Sequence, residues 1–182
     1  MIIGLSGYAR SGKDAAAEIL VKHAGFTRLS FAGPMKEALY RLNPLITIGG
    51  MRGVNLSSAI DNLGWEAVKD DSPEVRGLLQ RMGTEVGREM FGEDFWVKQA
   101  MAEAKKYENV VFSDVRFINE AQAIQSAMGE VWRIERPGIT PPNNHISEHQ
   151  LDTFAFNAII RNSDGLDKLE FAVLQALEFF GE

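Results

Sequence analysis

The 182-residue chain contains no cysteine, which excludes disulfide staples and thiolate metal centres and fits a reducing compartment. It is also short of positive charge, with 19 Lys and Arg against 25 Asp and Glu and a formal net charge of -6. Gripping duplex nucleic acid over a wide face takes clustered cations, so that class of partner is not expected. A local cationic pocket for a phosphorylated small molecule remains compatible with the balance. No apolar run reaches the roughly 18 residues that a spanning helix needs, and the opening MIIGLSGYARSGKD lacks the arrangement of a signal peptide. A cytoplasmic protein with no membrane contact is expected. Repeats and low-complexity stretches are missing too. What is present is a globular composition, 45% hydrophobic and 24% charged, in a chain long enough for one domain with a sizeable core.

Ile2–Ser6 is a short apolar run ending at glycine, the pattern of a buried strand. After Lys13, DAAAEILVKHAG is rich in helix formers and closes on Gly25. FTRLSFA has strand character, and GPMKEALYRL is a helix with Pro34 in its first turn. The stretch from about 43 to 72 looks irregular. Pro73 then opens a helix with a break expected near Gly83, and DFWVKQAMAEAKKY is helical. NVVFSDVRF is the clearest buried strand. Asn119 with Gln122 offers a capping box for the helix that follows, ending at Gly129. EVWRIERP and NAIIRN are further strands. In the last helix, Leu169, Ala172, Val173, Ala176, Leu177 and Phe180 form one apolar stripe. Strands alternating with helices imply a parallel sheet covered on both faces. The three tryptophans, Trp65, Trp96 and Trp132, are expected in the core.

Gly7 to Lys13 fits the phosphate-loop pattern G-x-x-x-x-G-K, directly after an apolar strand and directly before a helix. Glycines let the backbone curl so that N–H groups point inward, and the helix N-terminus adds partial positive charge. The next position usually carries Ser or Thr, whose hydroxyl helps hold Mg²⁺; here it is Asp14. Two readings stand side by side. Asp14 either complements the helix dipole or reaches Mg²⁺, through water rather than directly.

Several segments, in order from about residue 2 to 170, resemble the phage deoxynucleoside monophosphate kinase family of P-loop kinases. They are GYARSGKD (with aspartate after the lysine), FAGPMKEAL, RGLLQRMGTE with FWVK, VVFSDVRFINEAQAI, RPG, HISE and IIRNSDGLDKL. The chain is shorter than some members, chiefly between Leu42 and Ser72. The resemblance implies a three-layer α/β/α fold over residues 1–182, with a helical monophosphate-binding insertion at about 43–95 and a short lid-like flap at about 136–152. It also implies transfer of the γ-phosphoryl group of ATP to a deoxynucleoside monophosphate with Mg²⁺, nucleotides as the small-molecule partners, and host cytoplasm if the source is a phage. A homodimer is compatible with it.

Phosphoryl transfer needs aligned anions and neutralised charge, tasks suited to arginine forks and a lysine. Lys13, Asp114, Arg116 and Arg136 are the expected catalytic set. Asp114 and Arg116 fall at the carboxyl end of a buried strand, where α/β sheets place ligands. Arg136, in RPG, is preferred over Arg133 for clamping the transferred phosphate. Gly7, Arg10, Ser11, Gly12, Lys13, Asp14 and Asn162 are the expected ATP-binding set. Lys36, Arg76, Gln80, Arg81, Thr84 and Arg88 are candidates for the acceptor, and His145 and Glu148 for the lid. HISEH also matches H-x-x-E-H of inverted zinc peptidases, but it begins in a proline-rich loop and lacks a further ligand. Two alternatives remain: a small P-loop kinase acting on phosphomevalonate or dephospho-coenzyme A, and a non-catalytic nucleotide-binding protein.

Overall fold

The computed structural model describes residues 1–140 and 149–181. In chain order the first elements are β1 (Ile2–Ser6), α1 (Lys13–Ala24), β2 (Thr27–Leu29), α2 (Gly33–Leu42), β3 (Leu45–Ile48), β4 (Met51–Asn55), α3 (Leu56–Asp71) and α4 (Pro73–Arg81). A π-helical segment (Met82–Met90) follows, then α5 (Phe95–Ala104), β5 (Val110–Phe112), α6 (Ile118–Ser126), β6 (Glu130–Glu135), β7 (Ala158–Arg161) and α7 (Leu166–Gly181). Contacts divide the chain into two units, residues 1–31 with 100–182, and residues 32–99.

The first unit is built on a five-stranded sheet in the order β2-β5-β1-β6-β7, with every pairing parallel. Side chains of β1 alternate between faces, as the strand period requires. Ile3 and Leu5 join a core with Ala16, Ala17 and Leu20 of α1 and Leu169 and Val173 of α7. Gly4 faces the other way, where an added Cβ would overlap Ile124 of α6. Helices therefore cover both faces, giving three layers. Trp132 and Ile134 of β6 are closed off within the α1/α7 core, and each side chain of that size contributes about 1.5–3 kcal/mol by leaving water. The apolar stripe of α7 packs on this core as its spacing requires. Trp132 is fully buried, whereas Trp65 and Trp96 are only half-buried.

The second unit has its own core of Leu39, Ile46, Ile48, Leu56, Ala59, Val68, Val75 and Leu79. Its opening is not irregular, as the sequence suggested. β3 and β4 pair antiparallel, joined at Gly49 and Gly50, both at positive φ (58° and 74°). A two-residue turn of that hand matches strand twist, and glycine adopts it without strain. The stretch is thus a hairpin followed by helices. α3 is interrupted at Gly64 (φ 79°, ψ 160°).

Four other boundaries also differ from expectation. β2 covers only Thr27–Leu29. The helix expected to break near Gly83 instead widens into the π-helical segment. The helix expected over DFWVKQAMAEAKKY stops at Ala104. α6 starts at Ile118, so Asn119 is not its cap. Instead the buried Glu120 carboxylate accepts the N–H groups of Arg116 (2.7 Å) and Phe117 (3.0 Å), which suits an acid in the first turn.

Candidate functional site

The loop after β1 has the shape its sequence demands. Gly7 and Gly12 sit at φ 141° and 107°, conformations that side-chain-bearing residues rarely adopt. A Cβ at Gly7 would overlap the Ile134 carbonyl oxygen of β6, and one at Gly12 would overlap the Asn162 amide. The loop therefore lies against the ends of β6 and β7 at a distance only glycine permits. Asn162 ties it there: its side-chain amide donates to the Ser11 carbonyl (2.9 Å), and its backbone N–H donates to Glu135 O (2.7 Å). Its side chain thus holds the loop itself.

Within the loop, Lys13 is buried and its ammonium donates to the carbonyls of Gly7 (2.6 Å) and Tyr8 (2.8 Å). Ser11 is buried as well, and its hydroxyl has no hydrogen-bond partner among the described residues. A buried polar group without a partner is destabilising unless a ligand or water meets it. Arg10, at φ 65°, is exposed.

Asp14 stands on the first turn of α1, and its carboxylate forms an ion pair with Arg28 of β2. Arg28 also donates through Nε to Ser113 Oγ (3.0 Å) at the end of β5. The neighbouring Asp114 is held by the Ser30 hydroxyl (2.8 Å) and the Phe31 N–H (2.9 Å). Asp14, Arg28 and Ser113 thus form one bonded group at the carboxyl edge of the sheet, with Asp114 beside it on Ser30 and Phe31.

On the other side of the loop, Arg133 of β6 is packed between aromatic rings, 5.0 Å from the Tyr8 centroid and 5.4 Å from that of Phe156. It pairs with Glu135 (3.3 Å) and Asp152 (3.5 Å). The Tyr8 hydroxyl donates to Asp152 (2.8 Å), and His149 Nδ1 lies 2.9 Å from the same carboxylate. Burial pushes the Asp152 carboxyl up, but hydrogen bonds from His149, Tyr8 and Arg133 outweigh it and leave it below its ordinary value. Burial and the bond to Asp152 push the Tyr8 phenol above its ordinary value, with Arg133 opposing. Beside this group lies a cavity of about 350 Å³, lined by Tyr8, Ser11, Arg133, Arg136, Ile139 and Arg161 among others. A smaller recess carries Gly7, Arg116 and Arg133. Arg116 and Arg136 are both exposed.

Sequence reasoning passed over Tyr8, Arg28 and Asp152 and ranked Arg133 second. Tyr8 and Asp152 are 144 positions apart, and no local periodicity joins them. Arg28 had a weak signal, as a cation alternating with apolar residues in a strand.

In the second unit, the candidate acceptor residues lie on α2, on α4 and on the π-helical segment. Lys36 lies over the Trp65 ring (5.7 Å) and near Glu66 (3.8 Å). Arg76 pairs with Asp70 (2.5 Å), Arg81 with Glu85 (3.1 Å) and Arg88 with Glu93 (3.7 Å). Gln80 and Thr84 are exposed. His145 and Glu148, the expected lid residues, lie outside the described residues. Among the described residues no cluster of three or more His, Cys, Asp or Glu could hold a metal by itself, and no helix is long and apolar enough to cross a membrane.

A family model described as deoxynucleotide monophosphate kinase matches residues 54–173, a span that leaves the phosphate loop outside it. A protein of Acanthamoeba polyphaga mimivirus, provisionally named for that activity, is 28% identical over 193 residues, covering 98% of this chain and 96% of its own length. The deoxynucleotide monophosphate kinase of Enterobacteria phage T4 is 25% identical over 228 residues, covering 92% of this chain and 95% of its own. Among solved structures, shikimate kinase from Aquifex aeolicus superposes with a TM-score of 0.50 at 16% identity, over 100% of this chain and 98% of that one. That last likeness is one of fold: the three layers are those of the P-loop kinases.

Proposed function

The chain belongs to the deoxynucleotide monophosphate kinase family, and we propose on that footing that it moves the γ-phosphoryl group of ATP to a deoxynucleoside monophosphate, giving the diphosphate and ADP. The observation that carries this reading is the loop, in which a buried lysine and a serine hydroxyl without a partner among the described residues face a concave backbone at a helix N-terminus. That arrangement suits a polyphosphate.

The chain's own residues divide the work. Lys13 exchanges its two carbonyl partners for phosphate oxygens and follows the charge as it moves to the transferred group. Ser11 and the loop N–H groups hold the bound chain of phosphates. Arg116 and Arg136 supply cations to the transition state, where charge spreads over the transferred oxygens. Asp114, fixed by Ser30 and Phe31, orients what binds at the end of β5. Mg²⁺ fits the donor set, since Asp14 and Asp114 are hard oxygen ligands and contact through water leaves their present bonds in place. Held there beside ATP, it would supply neutralisation of phosphate charge. Lys36, Arg76, Arg81 and Arg88, with Gln80 and Thr84, take the acceptor. No side-chain nucleophile is assigned, so transfer is direct and in line. The base and ribose of ATP occupy the cavity beside Ile139 and Arg161.

The test is an ADP-release assay across all deoxy- and ribonucleoside monophosphates, with phosphomevalonate and dephospho-coenzyme A alongside. Turnover with one or more deoxynucleoside monophosphates is expected. Turnover confined to a non-nucleotide acceptor would overturn the reading. Radiolabelled phosphate captured on the protein with ATP alone would overturn the direct mechanism.

A further inference from the structure

A carboxylate at position 14 sets a negative charge against the phosphates that the loop is shaped to hold. The ion pair described above addresses this conflict. Arg28 is the better anchored partner, with its side chain 37% exposed against 78% for Asp14 and its Nε fixed on Ser113 Oγ at 3.0 Å. The position of the guanidinium is therefore set by the sheet edge, and the carboxylate is drawn to it. We propose that Arg28 is a charge-balancing residue of the nucleotide site, neutralising Asp14 so that a loop with aspartate after its lysine accepts a polyphosphate. Arg28 acts through Asp14 and is a positioning residue, not a catalytic one. In a loop with Ser or Thr at this position the same arginine has no charge to balance.

The inference rests on the reading of residues 7–13 as a phosphate cradle, and the experiment separates the two. Dissociation constants for ADP are measured in EDTA at low ionic strength for wild type, Arg28→Gln, Asp14→Ser and the double variant. Arg28→Gln is expected to weaken ADP about threefold to fivefold, the range of a partly exposed charge pair. The loss should shrink as salt is raised. In the Asp14→Ser background Arg28→Gln should cost clearly less, because no carboxylate is left to be held away from the phosphates. Arg28→Lys, which keeps the charge and lacks the fork, should bind within about twofold of wild type.

Equal losses in both backgrounds would overturn the proposal, since Arg28 would then touch the nucleotide or merely hold the fold. No loss in the Asp14 background would overturn it as well. Thermal melts of each variant show whether Arg28→Gln folds; if it does not, Arg28→Met, which keeps the apolar stem and removes the charge, carries the comparison in both backgrounds. Folded wild type that fails to bind ADP would remove the phosphate-loop reading itself, an outcome distinct from either.

Discussion

The close approach of the loop to β6 makes Gly7→Ala the most demanding perturbation. Gly7 holds φ 141°, and forcing an alanine there stores about 1–3 kcal/mol of backbone strain. Its Cβ would also overlap the Ile134 carbonyl oxygen and approach Ser11 Oγ to 2.8 Å. Ile134 is 1% exposed near the carboxyl end of β6 and paired with Ile160 of β7, so the sheet does not yield and the loop must. A shift of the order of 1 Å in a group that positions substrate lowers rate about a hundredfold. The strain itself lowers the melting temperature by roughly 3–10 °C for a chain of this size. Activity should therefore collapse while the fold survives. Steady-state ADP release with saturating acceptor, beside a thermal melt, separates the two effects. Wild-type turnover in a folded Gly7→Ala protein would refute the argument that loop contact with β6 shapes the cradle.

Lys13→Ala should lose turnover by about a hundredfold or more, since it removes one or two charge-assisted bonds of about 1.5–3 kcal/mol each from the transition state; its melting temperature should move only a few degrees, and near-normal turnover would contradict the assignment. Asp14→Asn should raise the Mg²⁺ concentration needed for half-maximal rate, and an unchanged metal titration would leave Asp14 without a metal role. Asp152 lies below its ordinary value of 3.8, so its bonds to Tyr8, His149 and Arg133 contribute fully above that pH and are lost as pH falls through the lower folded value. Asp152→Asn should accordingly flatten the acid end of the stability profile below about pH 4, measured by urea unfolding; an unaltered profile would argue against the cluster.

Much of the first unit was legible because its signals are local. An apolar run, two glycines in a fixed spacing and an alanine-rich helix specify β1, the loop and α1, and six apolar positions specify the buried face of α7. Asp114 and Arg116 could be placed because a strand end is visible where apolar residues give way to polar ones. The hairpin of β3 and β4 was harder to see. Only Ile46 and Ile48 of β3 point inward, and Gly53 interrupts the pattern of β4, so two short half-exposed strands looked like a loop. The π-helical segment has no sequence mark beyond Gly83 and Gly87. An added Cβ at Gly87 would overlap the Trp96 indole, whose N–H donates to Gly83 O, so tertiary packing decides that geometry. Arg28 and Asp152 escaped for the same reason. Each is defined by a partner that only the topology brings near.

The bond from Asn162 to the Ser11 carbonyl spans 151 positions, and β1 lies between strands that begin at Val110 and Glu130. The loop is therefore among the earliest segments to leave the ribosome and among the last to acquire its final neighbours. A nascent chain that stops short of β7 has every residue of the phosphate motif and lacks the contact that sets its curvature. The phosphate motif therefore reaches its final curvature only once synthesis has passed residue 162 and β7 has joined the sheet beside β6.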